Sequence, residues 1–328
     1  MEELGKIIVI GSGNWGTTLA MIFSQHHKVY LWTINKQEAD SINKTRESQF
    51  LPDIKLPDNI IVEKKFSRQI DSNDIVIIAI PSRFIDDLTN EFIEHKTEEF
   101  IIVNASKGVE HKTLKTVWET VMAKLPKVQF ANLAGPTIAR EIAEGIPAKA
   151  ILAARDVALL FLLQNKLEND LLKFEFSRDI KGVELASALK GLIAIAVGMA
   201  DGLGFKTNIF GLIITYGMNE FVTIMKFLGV YHKTAYGIAG IGDLITTCIS
   251  ENSRNRKFGK LLAQGYSTGE ALKEVGMVVE GVSMAKTINK LAKFNLSIPL
   301  ISCVTRIIFE DVKDVRKEML DTLNSISG

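Results

Sequence analysis

The stretch "IIVIGSGNWGTTLA", residues 7–20, decides the fold. Four branched apolar residues run into a glycine, and Gly11, Gly13 and Gly16 keep the spacing GxGxxG before a segment with helical periodicity. In a strand–turn–helix unit the first glycine permits the tight turn and the second lets the backbone approach a pyrophosphate. The third lets helix and strand pack closely, while the helix N-terminus receives negative charge. The pattern predicts dinucleotide binding; the bland alternative is a tight turn with no ligand. The acid that meets a ribose 2′-hydroxyl is expected near the end of the next strand, "KVYLWT". Trp32, Thr33, Ile34 and Asn35 stand there, with Lys36 close by. Neither an acid nor an arginine is present, so NAD and NADP both stay open.

Outward from this unit the chain alternates. "NIIVE", "DIVIIAIP", "FIIVNAS" and "VQFANLAG" read as strands, with "SRFIDDLTNEFIEH" and "TLKTVWETVMAKL" as helices among them. Strands that are apolar throughout and alternate with helices predict a parallel sheet covered on both faces. "AKAILAAR" and "LLKFEFS" carry the pattern to Ser177. After Gly182 strand signals largely vanish, and apolar stretches of helical spacing run to Leu323. The reading is an α/β dinucleotide-binding domain over 1–181 and a helical domain over 182–328, to which the family resemblance given below assigns substrate binding.

Composition narrows the function. The chain has 328 residues, 47% hydrophobic and 23% charged, with a formal net charge of +1. No broad basic field for nucleic acid or anionic lipid follows from that balance. The basic run "SRNRK" is short and lacks interleaved aromatics, which argues against nucleic acid. Cys248 and Cys303 form no CxxC pair, and the N-terminus has no secretory pattern. The longest uncharged run, Thr207 to Asn219, is well short of the ~20 residues that cross a bilayer. A cytoplasmic protein without a membrane span is expected. The five histidines show no ligand spacing with cysteines or acids, so no metal site is expected.

Hydride exchange with a carbonyl needs a proton donor or acceptor at the oxygen. The histidines lie outside every motif block, which turns attention to two lysines. Lys107 sits in "NASKGVE", just past a strand end, where α/β sheets hold their ligands. Lys190 interrupts "GVELASALKGLIAIAVGMADGLG", residues 182–204. Burial and a second ammonium nearby would each lower a lysine's pKa and make it an acid or base near neutrality. The bland alternatives are a solvated loop for Lys107 and snorkelling to the helix surface for Lys190. In "GIAGIGDLITTCISENSRNRKFG", Asp243 follows two glycines, and Ser253, Arg254 and Asn255 are adjacent polar donors. Arginine offers a rigid fork for phosphate oxygens. Glu280 lies in "GMVVEGVSMA", where it reads equally well as a helix cap.

Taken together, "GSGNWGTTLA", "SKGVE", "AGPTIAREIAEGIPA", the Lys190 stretch, "AGIGDLITTC", "SENSRNRKFG", "VVEGV" and "SIPL" resemble the bacterial NAD(P)-dependent sn-glycerol-3-phosphate dehydrogenase family, in family order over almost the whole chain. The resemblance implies a Rossmann-like α/β N-terminal domain, an all-α C-terminal domain and an active site between them. It implies interconversion of dihydroxyacetone phosphate and sn-glycerol 3-phosphate for phospholipid synthesis, a small phosphorylated substrate and a homodimer. By the same resemblance Asn14, Trp15 and Ala139 approach the dinucleotide, and Val278 and Glu280 close over it. Gly135 and Thr137 line the substrate site, and Lys107 touches both ligands. Lys190 accepts the proton in oxidation; Asp243, Ser253, Arg254 and Asn255 bind substrate, with Arg254 also near the cofactor.

The chain also departs from that family. Gly191 stands where asparagine commonly follows the lysine. In "GFKTNIFGLIITYG", Lys206 replaces a glycine, Phe210 lies where a basic residue is common and Tyr216 replaces an arginine, while Asn208 and Glu220 are kept. Lys206 is expected to restore some positive charge near the phosphate. Rival readings are a two-domain hydroxyacid or ketopantoate-type reductase and a non-catalytic dinucleotide sensor.

Overall fold

Strands with no polar face have to be covered on both sides, and the first half of the chain does this with a helix after most strands. The computed structural model describes residues 5–64, 70–95, 99–109, 115–289, 296–310 and 312–326. The chain divides into two compact units, Met1–Ser106 with Lys115–Ile180, and Lys107–Leu114 with Lys181–Gly328.

In the first unit the elements are, in order, β1 (Ile7–Ile10), α1 (Asn14–Phe23), β2 (Val29–Trp32), α2 (Lys36–Thr45), β3 (Glu47–Ser48), β4 (Leu51–Lys55), β5 (Ile60–Glu63), β6 (Ile75–Ile78), α3 (Ile85–Glu94), β7 (Ile101–Asn104), α4 (Val117–Lys124), β8 (Gln129–Ala134), α5 (Ala139–Ala143), β9 (Ala148–Ala154), α6 (Val157–Leu167) and β10 (Leu172–Ser177). The main sheet runs β10-β9-β8-β7-β6-β1-β2-β5. β1 lies centrally, with Ile7 level with Val29 on one side and Ile75 on the other. Val9, Leu31, Ile77, Val103 and Leu19 are buried in the core built on this sheet.

The sheet is not wholly parallel, as the apolar runs had suggested: β8 and β9 pair antiparallel. The link between them holds only the five-residue α5, too short to return the chain to the other end of the sheet. A separate two-stranded sheet of β3 and β4 has no counterpart in the sequence reading.

The second unit is helical: α7 (Ile180–Gly202), α8 (Thr207–Phe227), α9 (Asp243–Ile249), α10 (Arg254–Ala263), α11 (Thr268–Val275), α12 (Glu280–Ile288), α13 (Pro299–Phe309) and α14 (Val315–Ser325). α7 is long and apolar enough to cross a membrane, with a mean hydropathy of 1.7, yet its apolar window is fully buried, so it serves as a core helix. Glycines bring α10 against it. A Cβ at Gly259 would lie 2.1 Å from the Ile195 carbonyl oxygen, and one at Gly198 would lie 2.1 Å from that of Arg256. Only hydrogen fits at these positions, and the backbones approach at van der Waals distance.

Glu220 explains another join. This buried carboxylate accepts the backbone N–H of Leu300 at 2.7 Å and of Ile301 at 2.8 Å, capping α13 from α8. Pro299 opens that helix and has no N–H to satisfy. Burial pushes the Glu220 pKa up to about 7, against the two donors that hold it down. Glu220→Ala strands both N–H groups and is expected to cost about 2–4 kcal/mol in denaturant unfolding. Glu220→Gln, which keeps an acceptor, is expected to cost less.

Candidate active site

The glycine loop of the first unit is built around steric exclusion. Gly11 has φ of +110°, and a Cβ there would meet the Ala79 carbonyl oxygen at 2.6 Å. A Cβ at Gly16 would fall 1.9 Å from the Gly11 oxygen, so α1 lies directly on the turn. Thr17 Oγ1 donates to the Ser12 carbonyl at 2.8 Å and locks the loop to the helix. Gly13 is the N-cap of α1, with open space beside it and no side-chain cap on the first-turn N–H groups. The Asn14 Oδ1 beside it is buried without a hydrogen-bond partner. An uncapped helix N-terminus and an orphaned acceptor fit a bound pyrophosphate and a ligand donor, so the residues present suit a dinucleotide.

Trp15 packs partly buried against the core. Thr18 Oγ1 donates to the Ala139 carbonyl at 3.3 Å, which ties α5 to α1 and puts Ala139 beside the dinucleotide helix. Gly135 ends β8 with φ of +136°, and Thr137 Oγ1 donates back to its carbonyl at 3.2 Å. Buried Asn104 Nδ2 donates to Asn132 Oδ1 at 2.7 Å across neighbouring strands, and Asn104 Oδ1 accepts the Ser106 N–H at 3.1 Å. That amide pair fixes the chain just before Lys107.

In the second unit Asp243 gathers both lysines. It opens α9 after a π-helical turn, Ile238–Gly242, in which a Cβ at Gly240 would lie 2.0 Å from the Ala235 oxygen. The Asp243 carboxylate is buried. Its Oδ2 stands 3.4 Å from Lys107 Nζ, and its Oδ1 pairs with Lys190 Nζ. Lys190 is itself only 4% exposed, so its ammonium does not snorkel. Burial pulls its pKa from the usual 10.5 to about 7; Asp243 opposes the shift and Lys107 adds to it. The result is a buried lysine whose proton is exchangeable near neutral pH, held in place by one carboxylate.

The "SRNRK" block starts α10. Ser253 caps it, its Oγ accepting the Arg256 N–H at 3.2 Å. Arg256 serves the fold: it pairs with Asp201 at 3.2 Å and donates to the Ile249 carbonyl at 2.7 Å. Arg254, in the first turn, is exposed and feels the Glu280 carboxylate at the start of α12. Partly buried Val278 leads into that turn. Asn255 Oδ1 accepts the Gly281 N–H at 3.0 Å.

Gly191 is explained by the same packing. A Cβ there would lie 3.1 Å from Gly281 Cα and 3.2 Å from Asn255 Nδ2. The space that a side chain after the lysine would occupy is filled by the α12 backbone and by the Asn255 amide.

Lys206 lies elsewhere than expected. It precedes α8, beyond the C-terminal end of α7, and twelve residues of α7 separate that end from Lys190. This is about 18 Å of helix rise. Gly217, by contrast, packs on Ile193, so the Tyr216 turn of α8 is the part level with the lysine. Glu110 of "SKGVE" and His111 lie outside the described residues.

One acid near the glycine loop escaped the sequence reading. Glu38, in the first turn of α2, is buried, and Ser12 Oγ donates to its Oε2 at 2.8 Å. The available signal was an acid six residues past Trp32, on the helix rather than at the strand end.

A helix end open to pyrophosphate and a buried lysine paired with a carboxylate are groups that hydride chemistry on a carbonyl uses. They place the chain among the dinucleotide-dependent oxidoreductases. Within that class it belongs to the NAD-dependent glycerol-3-phosphate dehydrogenase family, whose N-terminal domain model matches residues 6–160 and whose C-terminal domain model matches residues 179–319. It is 39% identical over 311 residues to glycerol-3-phosphate dehydrogenase [NAD(P)+] of Fusobacterium nucleatum, covering 93% of each chain. Against the enzyme of that name from Agathobacter rectalis the identity is 37%, covering 94% of this chain and 93% of the relative. The crystal structure of glycerol-3-phosphate dehydrogenase from Coxiella burnetii superposes with a TM-score of 0.91 at 28% identity, covering 97% of this chain and 98% of that one.

Proposed function

We propose that the chain interconverts dihydroxyacetone phosphate and sn-glycerol 3-phosphate with NAD or NADP, in the cytoplasm, and supplies glycerophospholipid synthesis. The observation that carries the chemistry is the pairing of Lys190 with Asp243 in a buried site, with Lys107 on the other carboxylate oxygen. The dinucleotide, when bound, supplies or accepts the hydride. Gly11, Gly13, Asn14, Trp15 and Gly16 would hold it, and Ala139, Val278 and Glu280 are the further contacts that the family resemblance implies.

In reduction, negative charge develops on the carbonyl oxygen. The Lys190 ammonium stabilises that charge and then gives its proton to the oxygen. In oxidation the neutral amine takes the hydroxyl proton. Asp243 holds Lys190 and Lys107 at fixed distance through the proton's departure. Arg254, Asn255 and Ser253 bind the phosphate end, with Gly135 and Thr137 along the substrate. Binding energy far from the reacting carbon then orients it.

A coupled assay following NADH and NADPH oxidation tests this, with dihydroxyacetone phosphate against 2-keto and 3-keto acids. Turnover of the phosphate ester is expected; turnover of a keto acid alone would overturn the assignment, and cofactor binding without any turnover would favour the sensor. A homodimer is the assembly that family membership implies, and light scattering reads it directly.

A further inference from the structure

Glu38 takes no part in the proton chemistry, yet it sits beneath the glycine loop. Resting on the dinucleotide reading of the first unit, we infer that this chain takes NAD and discriminates against the 2′-phosphorylated dinucleotide, with Glu38 as the discriminating residue.

The adenosine ribose in this kind of fold falls at the end of β2, beside the first glycines. Three side chains meet at that place. Ser12 Oγ lies 2.7 Å from Thr33 Oγ1 and 2.8 Å from Glu38 Oε2, and the Asn35 N–H donates to Thr33 Oγ1 at 3.2 Å. Ser12 Oγ at 2.8 Å and Thr33 Oγ1 at 3.4 Å both stand within reach of Glu38 Oε2, so the hydroxyls converge on that one carboxylate oxygen. Glu38 Oε1 remains buried with no partner. The local field is that of a carboxylate with spare acceptor capacity. A ribose 2′-hydroxyl brings a donor to such a field; a 2′-phosphate brings no donor and adds like charge.

Among the described residues, several of the features that would welcome a phosphate are engaged. Asn35 Oδ1 already accepts the N–H groups of Gln37 at 3.0 Å and Glu38 at 3.2 Å, so the α2 N-terminus is capped. Ile34 is 87% exposed at the strand end and offers no donor. Among the described residues nearby, Lys64 pairs with Asp40, and Arg46 donates to the carbonyls of Leu56 at 3.3 Å and Ile60 at 3.0 Å. Lys36 is exposed at the start of α2.

Calorimetric titration of the full chain with NAD+ and with NADP+, alongside the melting-temperature shift each gives, tests the inference without turnover. NAD+ is expected to bind on the order of 10-fold tighter or more. In Glu38→Gln the ratio is expected to narrow at least ~3-fold, mostly through tighter NADP+ binding. Ile34→Arg, which supplies a guanidinium at the strand end, is expected to narrow it independently of Glu38. Equal or tighter binding of NADP+ by the parent overturns the inference, whether or not Glu38→Gln folds. An unchanged ratio in a folded Glu38→Gln also overturns it. Binding of neither dinucleotide would instead overturn the dinucleotide reading of the first unit.

Discussion

Replacing Lys190 by methionine is expected to lower kcat by about 10²–10⁴-fold, the usual loss when a general acid–base is removed, with no fall in melting temperature. The two effects separate because the lysine costs stability. Its folded pKa of about 7 lies below the ordinary 10.5. Between those values the unfolded chain binds more protons than the folded one, so stability rises with pH across that window. Below pH 7 both states carry the charge and the cost is present in full. A methionine of similar reach relieves it while leaving Asp243 its contact with Lys107. A variant that lost stability and activity together would mean that the lysine serves the core rather than the reaction.

Asp243→Asn is expected to do the reverse, losing stability as well as rate. The two ammonium groups that it separates would face each other without a counter-charge. Breaking a buried ion pair by removing one partner commonly costs about 3–5 kcal/mol. With the raising influence of Asp243 gone, the Lys190 pKa would fall further, so the alkaline limb of the reduction profile, where the donor loses its proton, moves to lower pH. The double variant Asp243→Asn, Lys190→Met is expected to recover much of the lost stability and none of the rate. Additive losses would show that the two side chains do not act on each other.

The sequence made the first unit legible where chemistry is local. Gly16 is required by the Gly11 carbonyl five residues away, and the apolar strands carry their burial in their composition; the contact of Gly11 with Ala79 is distant in sequence, but its place in the GxGxxG spacing marks it. The antiparallel β8–β9 pair was hidden because strand direction depends on what a short linker can span. The same limit applied to the site. Lys190 stood out because a charge in an apolar helix is anomalous on its own. The meeting of Lys107 with Asp243, 136 residues apart, leaves no local trace; a strand end pointed to Lys107, and family resemblance gave Asp243 its role. Gly191 looked like a loss until the packing of Asn255 and Gly281 showed what fills the space. Lys206 looked like compensation until the length of α7 put it at the far end.

The central claim is that Lys190 holds its proton loosely near neutral pH, and a direct titration tests it. NMR of lysine labelled at Cε and Nζ, with the Lys190 signal assigned by its loss in Lys190→Met, gives the pKa of that one group. The account predicts a midpoint near 7, against the ordinary lysine value of 10.5. A midpoint near 10.5 would contradict it, for a lysine that keeps its proton throughout the working range cannot serve as the base in oxidation.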